Sequence, residues 1–300
     1  MVEKVLMKHH EKFMESLPEK IRTTFNANAI ITGGSIASLL LNEPVNDYDY
    51  YLRTREAVIM VAEHFISQFT GLNPKVSIKP TLRYGKDGPV KIMVKSAGVV
   101  SEAGDTGYQY FENLPDQFGQ DYLEKVMSVA DEVDAAPLDD KPLYRPVFMS
   151  ANAITLSNKI QIVTRFYGEP DQIHENYDFI HCCNYWTPQG GLVLHPGALE
   201  SLLCKHLQYQ GSLYPVCSVI RTRKFLKQGW YINAGQYLKM CFQISALDLT
   251  NIEVLEDQLT GVDAAYFFQV IDYCKQRQTK DPDFKVTAPY LVSIIDKIFG

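Results

Sequence analysis

Apolar residues in the first twenty positions recur among charges (Glu3, Lys4, Lys8, Glu11, Lys12, Glu15), so the chain opens on an amphipathic helix ending near Pro18. The apolar run Ala29–Thr32 then predicts a strand, Ile36–Leu41 a short helix, and Tyr50–Leu52 a second strand. From Thr54 to Phe69 the spacing is helical again, with Val58, Val61, Ala62, Phe65, Ile66 and Phe69 on one face. Thr54 is its N-cap, and Gly71 and Pro74 stop it. Short strand-like runs follow at Lys75–Ile78 and Val90–Val94. Residues 101–146 break the pattern: they are rich in Gly, Pro and acids, with Tyr122–Val129 as a helical stretch, and read as an insertion that serves as a lid or a partner surface. Alternation returns in Ala153–Leu156 and Lys159–Phe166, joined at Ser157-Asn158 as a β-hairpin. Gly168-Glu169-Pro170 ends it and starts a short helix to Asn176. Asp178–Cys183 reads as a buried strand or an extended entry into the next region. Beyond Pro196 the pattern is helical in Ala198–Tyr209, Pro215–Gln228, Ala234–Leu247, Asn251–Leu259, Asp263–Gln276 and Ala288–Ile298. This is an α+β pattern: a head over residues 1–196, with a small mixed β-sheet flanked by helices, and an all-helical domain over 197–300.

Composition narrows the class. The chain has 300 residues, 46% apolar and 12% aromatic, enough to bury a sizeable core and too aromatic for a disordered chain. No run approaches the 18 apolar residues of a membrane span, and the charged N-terminus has no secretory apolar region. The six cysteines (Cys182, Cys183, Cys204, Cys217, Cys241, Cys274) show no C-x-x-C spacing, which points to mostly buried, reduced thiols in a cytoplasmic protein. Net charge is −6, but residues 101–140 hold eleven acids and one base; setting that −10 aside leaves +4, a body compatible with RNA.

The chemistry concentrates in two short segments, Gly33-Gly34-Ser35 and Asp47-Tyr48-Asp49, separated by eleven residues. The first closes the Ala29–Thr32 strand and the second opens the next. Alternation along a strand sends Asp47 and Asp49 one way and Tyr48 the other. Two nearby carboxylates repel, and a hard divalent cation, Mg²⁺ or Mn²⁺, relieves that repulsion, with substrate phosphates completing its shell. The glycines allow close backbone approach to a phosphate, and Ser35 begins a helix whose free N–H groups favour an anion.

This pairing, with a strand before each half, resembles the signature of polymerase-β-like nucleotidyltransferases. The resemblance implies a nucleotidyltransferase head that moves an NMP from an NTP to an acceptor hydroxyl and releases pyrophosphate in a two-metal reaction. Asp47 and Asp49 would hold the metal, and Gly33, Gly34 and Ser35 the β/γ-phosphates. The third acid expected on a neighbouring strand is missing from Lys159–Phe166, which offers Gln161, so Asp178 is the named replacement. Its alternative is a capping aspartate. Cations for the triphosphate are sought in Lys205, Arg221 and Lys224, with Arg165 closing the candidate strand.

A second resemblance covers about 55 residues, Asp178–Asn233, and is to the bacterial CCA-adding tRNA nucleotidyltransferases and poly(A) polymerases. Tyr177-Asp178-Phe179-Ile180-His181-Cys182, Gly190-Gly191 and Arg221-Thr222-Arg223-Lys224 follow that branch's order. Its paired arginines are replaced here by Asn176 and Tyr177, and the Asp and Arg before its arginine helix by Pro215 and Ser218, so nucleotide choice does not carry over. The resemblance implies an RNA 3′ end, tRNA-like, as acceptor. Transfer to a protein or small molecule, and a non-catalytic nucleotide-binding or assembly protein, remain open, as does oligomeric state. His174 and His181 read as structural histidines, and His9-His10 as exposed.

Overall fold

The computed structural model describes residues 1–72, 80–85, 88, 90–93, 98–99, 109–110, 143–149, 152–259, 265–281 and 283–299. The strand expected at 75–78, the helix at 122–129 and most of the acidic insertion lie outside them. Helix α1 (Val2–Ser16) is followed by α2 (Glu19–Asn28), which the sequence pattern did not single out: only Ile21 and Phe25, four apart, form its buried face. Pro18 separates the two, with extended backbone at the head of α2. Then come β1 (Ala29–Thr32), α3 (Gly34–Leu41), β2 (Tyr48–Leu52) and α4 (Arg55–Leu72). Strands β3 (Thr81–Arg83) and β4 (Lys91–Met93) pair with each other. The remaining strands are β5 (Gly98–Val99), β6 (Gln109–Tyr110), β7 (Pro146–Met149), β8 (Ala153–Leu156), β9 (Ile160–Tyr167), β10 (Tyr185–Thr187) and β11 (Gly191–Val193), with α5 (Pro170–His174) between β9 and β10.

The main sheet runs β11-β10-β1-β2-β9-β8-β7 and is extended past β7 by the two-residue strands β5 and β6. It is mixed: β2 and β9 are parallel and the other described pairings antiparallel. The β8–β9 hairpin forms as expected, but its turn takes three residues, Ser157–Lys159, rather than two, with Asn158 and Lys159 both at φ 61°, and β9 begins at Ile160.

One face of this sheet carries the core. Phe13, Phe25 and Tyr50 are fully buried and Phe65 nearly so; the Phe13 and Phe25 rings meet edge-on at 5.2 Å, and Phe13 lies 5.6 Å from Tyr50. Each such side chain contributes about 1.5–3 kcal/mol by burial. The two histidines expected to be exposed belong to this layer. His10 is buried, with Nε2 2.9 Å from Asn26 Oδ1, and the His9 ring stacks on Tyr48 at 3.8 Å. An aromatic face on β2 makes buried imidazoles favourable here. Burial pushes both below the ordinary value, His9 to about 4, and does the same to His174, to about 4, and His181, to about 3.

These shifts set an acid dependence. The folded chain keeps the four imidazoles neutral while the unfolded chain protonates them below about 6.5. The unfolded state then binds more protons, so stability is unaffected above that value and falls as pH drops toward 4. Thermal midpoints should decline between pH 6.5 and 5, before most carboxylates titrate. A flat profile in that window contradicts the assignment.

The chain divides into two compact units. Among the described residues, one comprises those up to Glu175 together with His181–Leu202; the other comprises Asn176–Ile180 and the residues from Leu203 onward. Helix α6 (Pro196–Cys204) was expected to reach Tyr209. It stops because Lys205 turns left-handed at φ 48° and His206 bridges to Tyr231. The second unit then builds α7 (Pro215–Lys227), α8 (Ala234–Ser245), α9 (Ile252–Leu259), α10 (Ala265–Lys280) and α11 (Ala288–Phe299), with Leu255, Ile271, Cys274, Val286 and Ile294 buried together. Asp178–Cys183 is not a strand. Phe179 makes an isolated bridge to Tyr209, and Ile180–Cys182 forms a 3₁₀ turn. Among the described residues no helix is long and apolar enough to cross a membrane.

Candidate functional site

Register decides whether the two motif segments meet. β1 and β2 pair antiparallel with Thr32 opposite Asp49. Gly33 leaves β1 where Tyr48 enters β2, so Gly33-Gly34-Ser35 and Asp47-Tyr48-Asp49 share one end of the sheet. Tyr48 and Tyr50 point into the aromatic core, so alternation sends Asp49, half-buried, to the opposite face; Asp47, also half-buried, is the residue just before the strand. On the far side of β2, Gln161 of β9 stands level with Asp49. Asp49 is thus flanked by a threonine and an amide.

The glycine turn has the features of an anion cradle. Gly33 sits at φ 91°, ψ −148°, a conformation open in practice to glycine alone, and heads α3 without a side-chain cap or an acid in the first turn. The first N–H groups of α3 have no carbonyl partners within the helix. Ser35 is 2% exposed, and its hydroxyl oxygen is buried without a hydrogen-bond partner. Such an orphan costs about 1–3 kcal/mol and is a natural seat for a ligand oxygen.

A strap fixes the turn from behind. Gly33 N–H donates to the Cys182 carbonyl at 3.2 Å, and the buried Thr32 hydroxyl donates to the Asn184 carbonyl at 2.8 Å. That leaves the hydroxyl as acceptor from His174 Nε2, 2.8 Å away, with the ring neutral. Thr32 and Asn184 were not legible as site residues, because the contact spans 152 positions.

Gly33 and Gly34 should answer differently to alanine. Gly33→Ala forces a side chain into the glycine-only region and should lower stability by about 1–3 kcal/mol. A Cβ at Gly34 meets nothing within 4 Å, so Gly34→Ala should fold as well as the parent or roughly 0.5 kcal/mol better. If the turn holds an anion, the added methyl would crowd it, so affinity for a nucleoside triphosphate, measured by calorimetry, should fall while the thermal midpoint does not; equal affinity would remove the cradle.

For a metal, the described residues contain no group of three or more His, Cys, Asp or Glu side chains that could hold one. Asp47 and Asp49 stand at this end of the sheet, and two carboxylates completed by phosphates and water suit Mg²⁺ or Mn²⁺.

The other predicted residues belong to the second unit. Asp178 is buried and its Oδ2 is ion-paired with Arg221, while its Oδ1 is buried without a hydrogen-bond partner. Lys224 lies one turn along α7 from Arg221, and Lys205 occupies the left-handed bend after α6. The first unit holds Gly33, Gly34, Ser35, Asp47 and Asp49; the second holds Asp178, Lys205, Arg221 and Lys224.

The family model described as Gabija anti-defense 2 family protein matches residues 4–205, which include both halves of the motif. The chain belongs to the Gabija anti-defense 2 family. No curated protein matches this Gabija anti-defense 2 chain. Solved structures similar to it include a tRNA nucleotidyltransferase complexed with a primer tRNA and an incoming ATP analog, at 12% identity and TM-score 0.35, covering 84% of this chain and 58% of that one. Another is the Thermotoga maritima CCA-adding enzyme complexed with tRNA-CCA, at 12% identity and TM-score 0.38, covering 90% and 53%. A tRNA-processing enzyme in an apo form is 12% identical at TM-score 0.33, covering 90% and 70%. The Gabija anti-defense 2 chain therefore spans little more than half the length of the first two.

Proposed function

We propose that the chain is a metal-dependent nucleotidyltransferase, built as a nucleotidyltransferase head with a helical C-terminal domain and working in the cytoplasm. The observation that supports this best is the register that sets Thr32 against Asp49 and so joins the glycine turn to the aspartate pair. Asp47 and Asp49 would hold Mg²⁺ or Mn²⁺, whose charge would offset that of the triphosphate. The free N–H groups at the start of α3 and the Ser35 hydroxyl would donate to the β/γ-phosphate oxygens. Held there, the α-phosphorus is open to in-line attack: the acceptor oxygen bonds to phosphorus, the bond to the bridging oxygen breaks, pyrophosphate leaves, and the hydroxyl proton passes to solvent. The chain's share of the work is positioning and charge neutralisation.

The favoured acceptor is an RNA 3′ end, tRNA-like, supported by the net +4 outside residues 101–140. The family's description, anti-defense, favours a second reading, in which the acceptor is a protein of the defence it names. Incubation with each α-labelled NTP, Mg²⁺ and either total RNA or cell protein separates them. Label in RNA supports the first and label in protein the second. Nucleotide binding without pyrophosphate release would replace both with a non-catalytic nucleotide-binding role.

A further inference from the structure

Residues 201–247 contain six bases (Lys205, Arg221, Arg223, Lys224, Lys227, Lys239) and no acid, in a chain of net charge −6. Residues 248–300 of the same unit hold nine acids and five bases, so charge is segregated within it rather than mixed. Arg221 is paired with Asp178, and Lys239 Nζ donates to the Tyr209 carbonyl and to Gln236 Oε1. Arg223, Lys224 and Lys227 occupy the last two turns of α7, with Arg223 and Lys227 exposed and Lys224 half-buried. Lys227 follows Arg223 by four residues and Lys224 by three, which puts all three on one side of the helix. Gly229, at φ 82°, then turns the chain, and Tyr231 N–H donates to the Lys205 carbonyl at 2.9 Å. Tyr231 follows Lys227 by four residues, a span of no more than about 14 Å.

An aromatic platform stands beside these cations. The His206 ring stacks on Tyr231 at 4.6 Å with 17° between the planes, and Asn233 Nδ2, 3.2 Å from His206 Nε2, steadies the imidazole. Tyr231 is nevertheless 52% exposed, so an aromatic ring is fixed in orientation and still open to solvent. Cations without neighbouring acids suit any polyanion. An oriented, open ring beside them suits a polyanion whose units carry flat π-faces. Single-stranded nucleic acid supplies both, phosphates for the cations and bases for the ring. We propose that the second unit binds single-stranded nucleic acid on this surface, with Arg223, Lys224 and Lys227 along the phosphates and Tyr231, backed by His206, stacking a base. This deepens the RNA reading of the acceptor and rests on it in that respect, while the binding itself needs no transfer.

Fluorescence anisotropy of a fluorescein-labelled oligouridylate, titrated with the full chain between about 50 and 200 mM salt, reads affinity and its salt slope together. Three phosphate contacts on a single strand predict a slope of roughly −2 in log affinity against log salt. Arg223→Gln, Lys224→Gln and Lys227→Gln combined should weaken binding at least about tenfold at the lower salt and take the slope toward zero. Tyr231→Ala should weaken binding about tenfold with the slope unchanged, and Tyr231→Phe should restore it. Thermal midpoints check that each variant folds, and the exposed charge variants keep the proposal open to refutation if Tyr231→Ala does not. Affinity indifferent to Tyr231→Ala in a folded protein, or polyglutamate competing as well as the oligonucleotide, makes this a seat for an acidic protein and overturns the proposal, as does preference for duplex RNA. An oligonucleotide left unbound while label still passes from NTP to protein overturns it and keeps nucleotidyl transfer. Binding through this surface with no label reaching RNA supports it and removes the RNA acceptor.

Discussion

Replacing Asp49 with asparagine is expected to slow nucleotide transfer at least about a hundredfold, on the order of 3 kcal/mol in the barrier, with little change in folding. Asparagine keeps the size and one oxygen of the side chain. It removes the negative charge that a hard cation requires. Asp49 is the more telling of the two acids because the sheet fixes it on both sides, opposite Thr32 and level with Gln161. Asp47 precedes the strand and should respond in the same direction. The measurement is single-turnover transfer from a labelled NTP, with Mn²⁺ affinity as a companion. Weak Mn²⁺ binding with lost turnover supports the assignment, while parent-like turnover in Asp49→Asn ends it.

The second large effect concerns stability. Arg221→Ala strands the Asp178 carboxylate, 4% exposed at its side chain, without its counter-charge. Breaking a buried pair from one side costs about 3–5 kcal/mol; because the Arg221 side chain is 36% exposed, the lower figure applies. Chemical denaturation reads this directly. Adding Asp178→Asn should return a substantial part of the loss, since the stranded charge is then gone. If Arg221 served instead as a free phosphate contact, its loss would move stability by no more than about 0.5 kcal/mol and nucleotide affinity by much more.

What could be read from the chain was local. Strand β1, helix α4 and the β8–β9 hairpin announce themselves by periodicity, and the spacing of the two motif segments follows from one short helix between paired strands. Helix α2 was missed because three apolar residues in ten, only Ile21 and Phe25 of them buried in the helix's face, give no stripe. The end of α6 depends on Lys205 bending left and on the bridge from His206 to Tyr231, 25 positions on. Burial of His9 and His10 depends on which face of β2 carries Tyr48 and Tyr50. At the site, Asp47, Asp49 and the glycines stood out by residue type. Thr32 and Asn184 did not, since their contact spans 152 positions. The pairing of Asp178 with Arg221, 43 positions away, is of the same kind.

The five residues Asn176–Ile180 interrupt the first unit's sequence but are hydrogen-bonded into the second: Ile180 N–H to the Gln208 carbonyl, Gln210 N–H to that of Asp178. No single cut can therefore separate the halves cleanly. Ending the chain at Leu202 would shorten it by a third and also expose a loop in the surviving piece, with an acid stripped of its guanidinium and Phe179 deprived of its cover. Such a fragment would be a poor stand-in for the intact molecule, and an evolutionary swap of the helical tail would have to rewrite this internal loop at the same time.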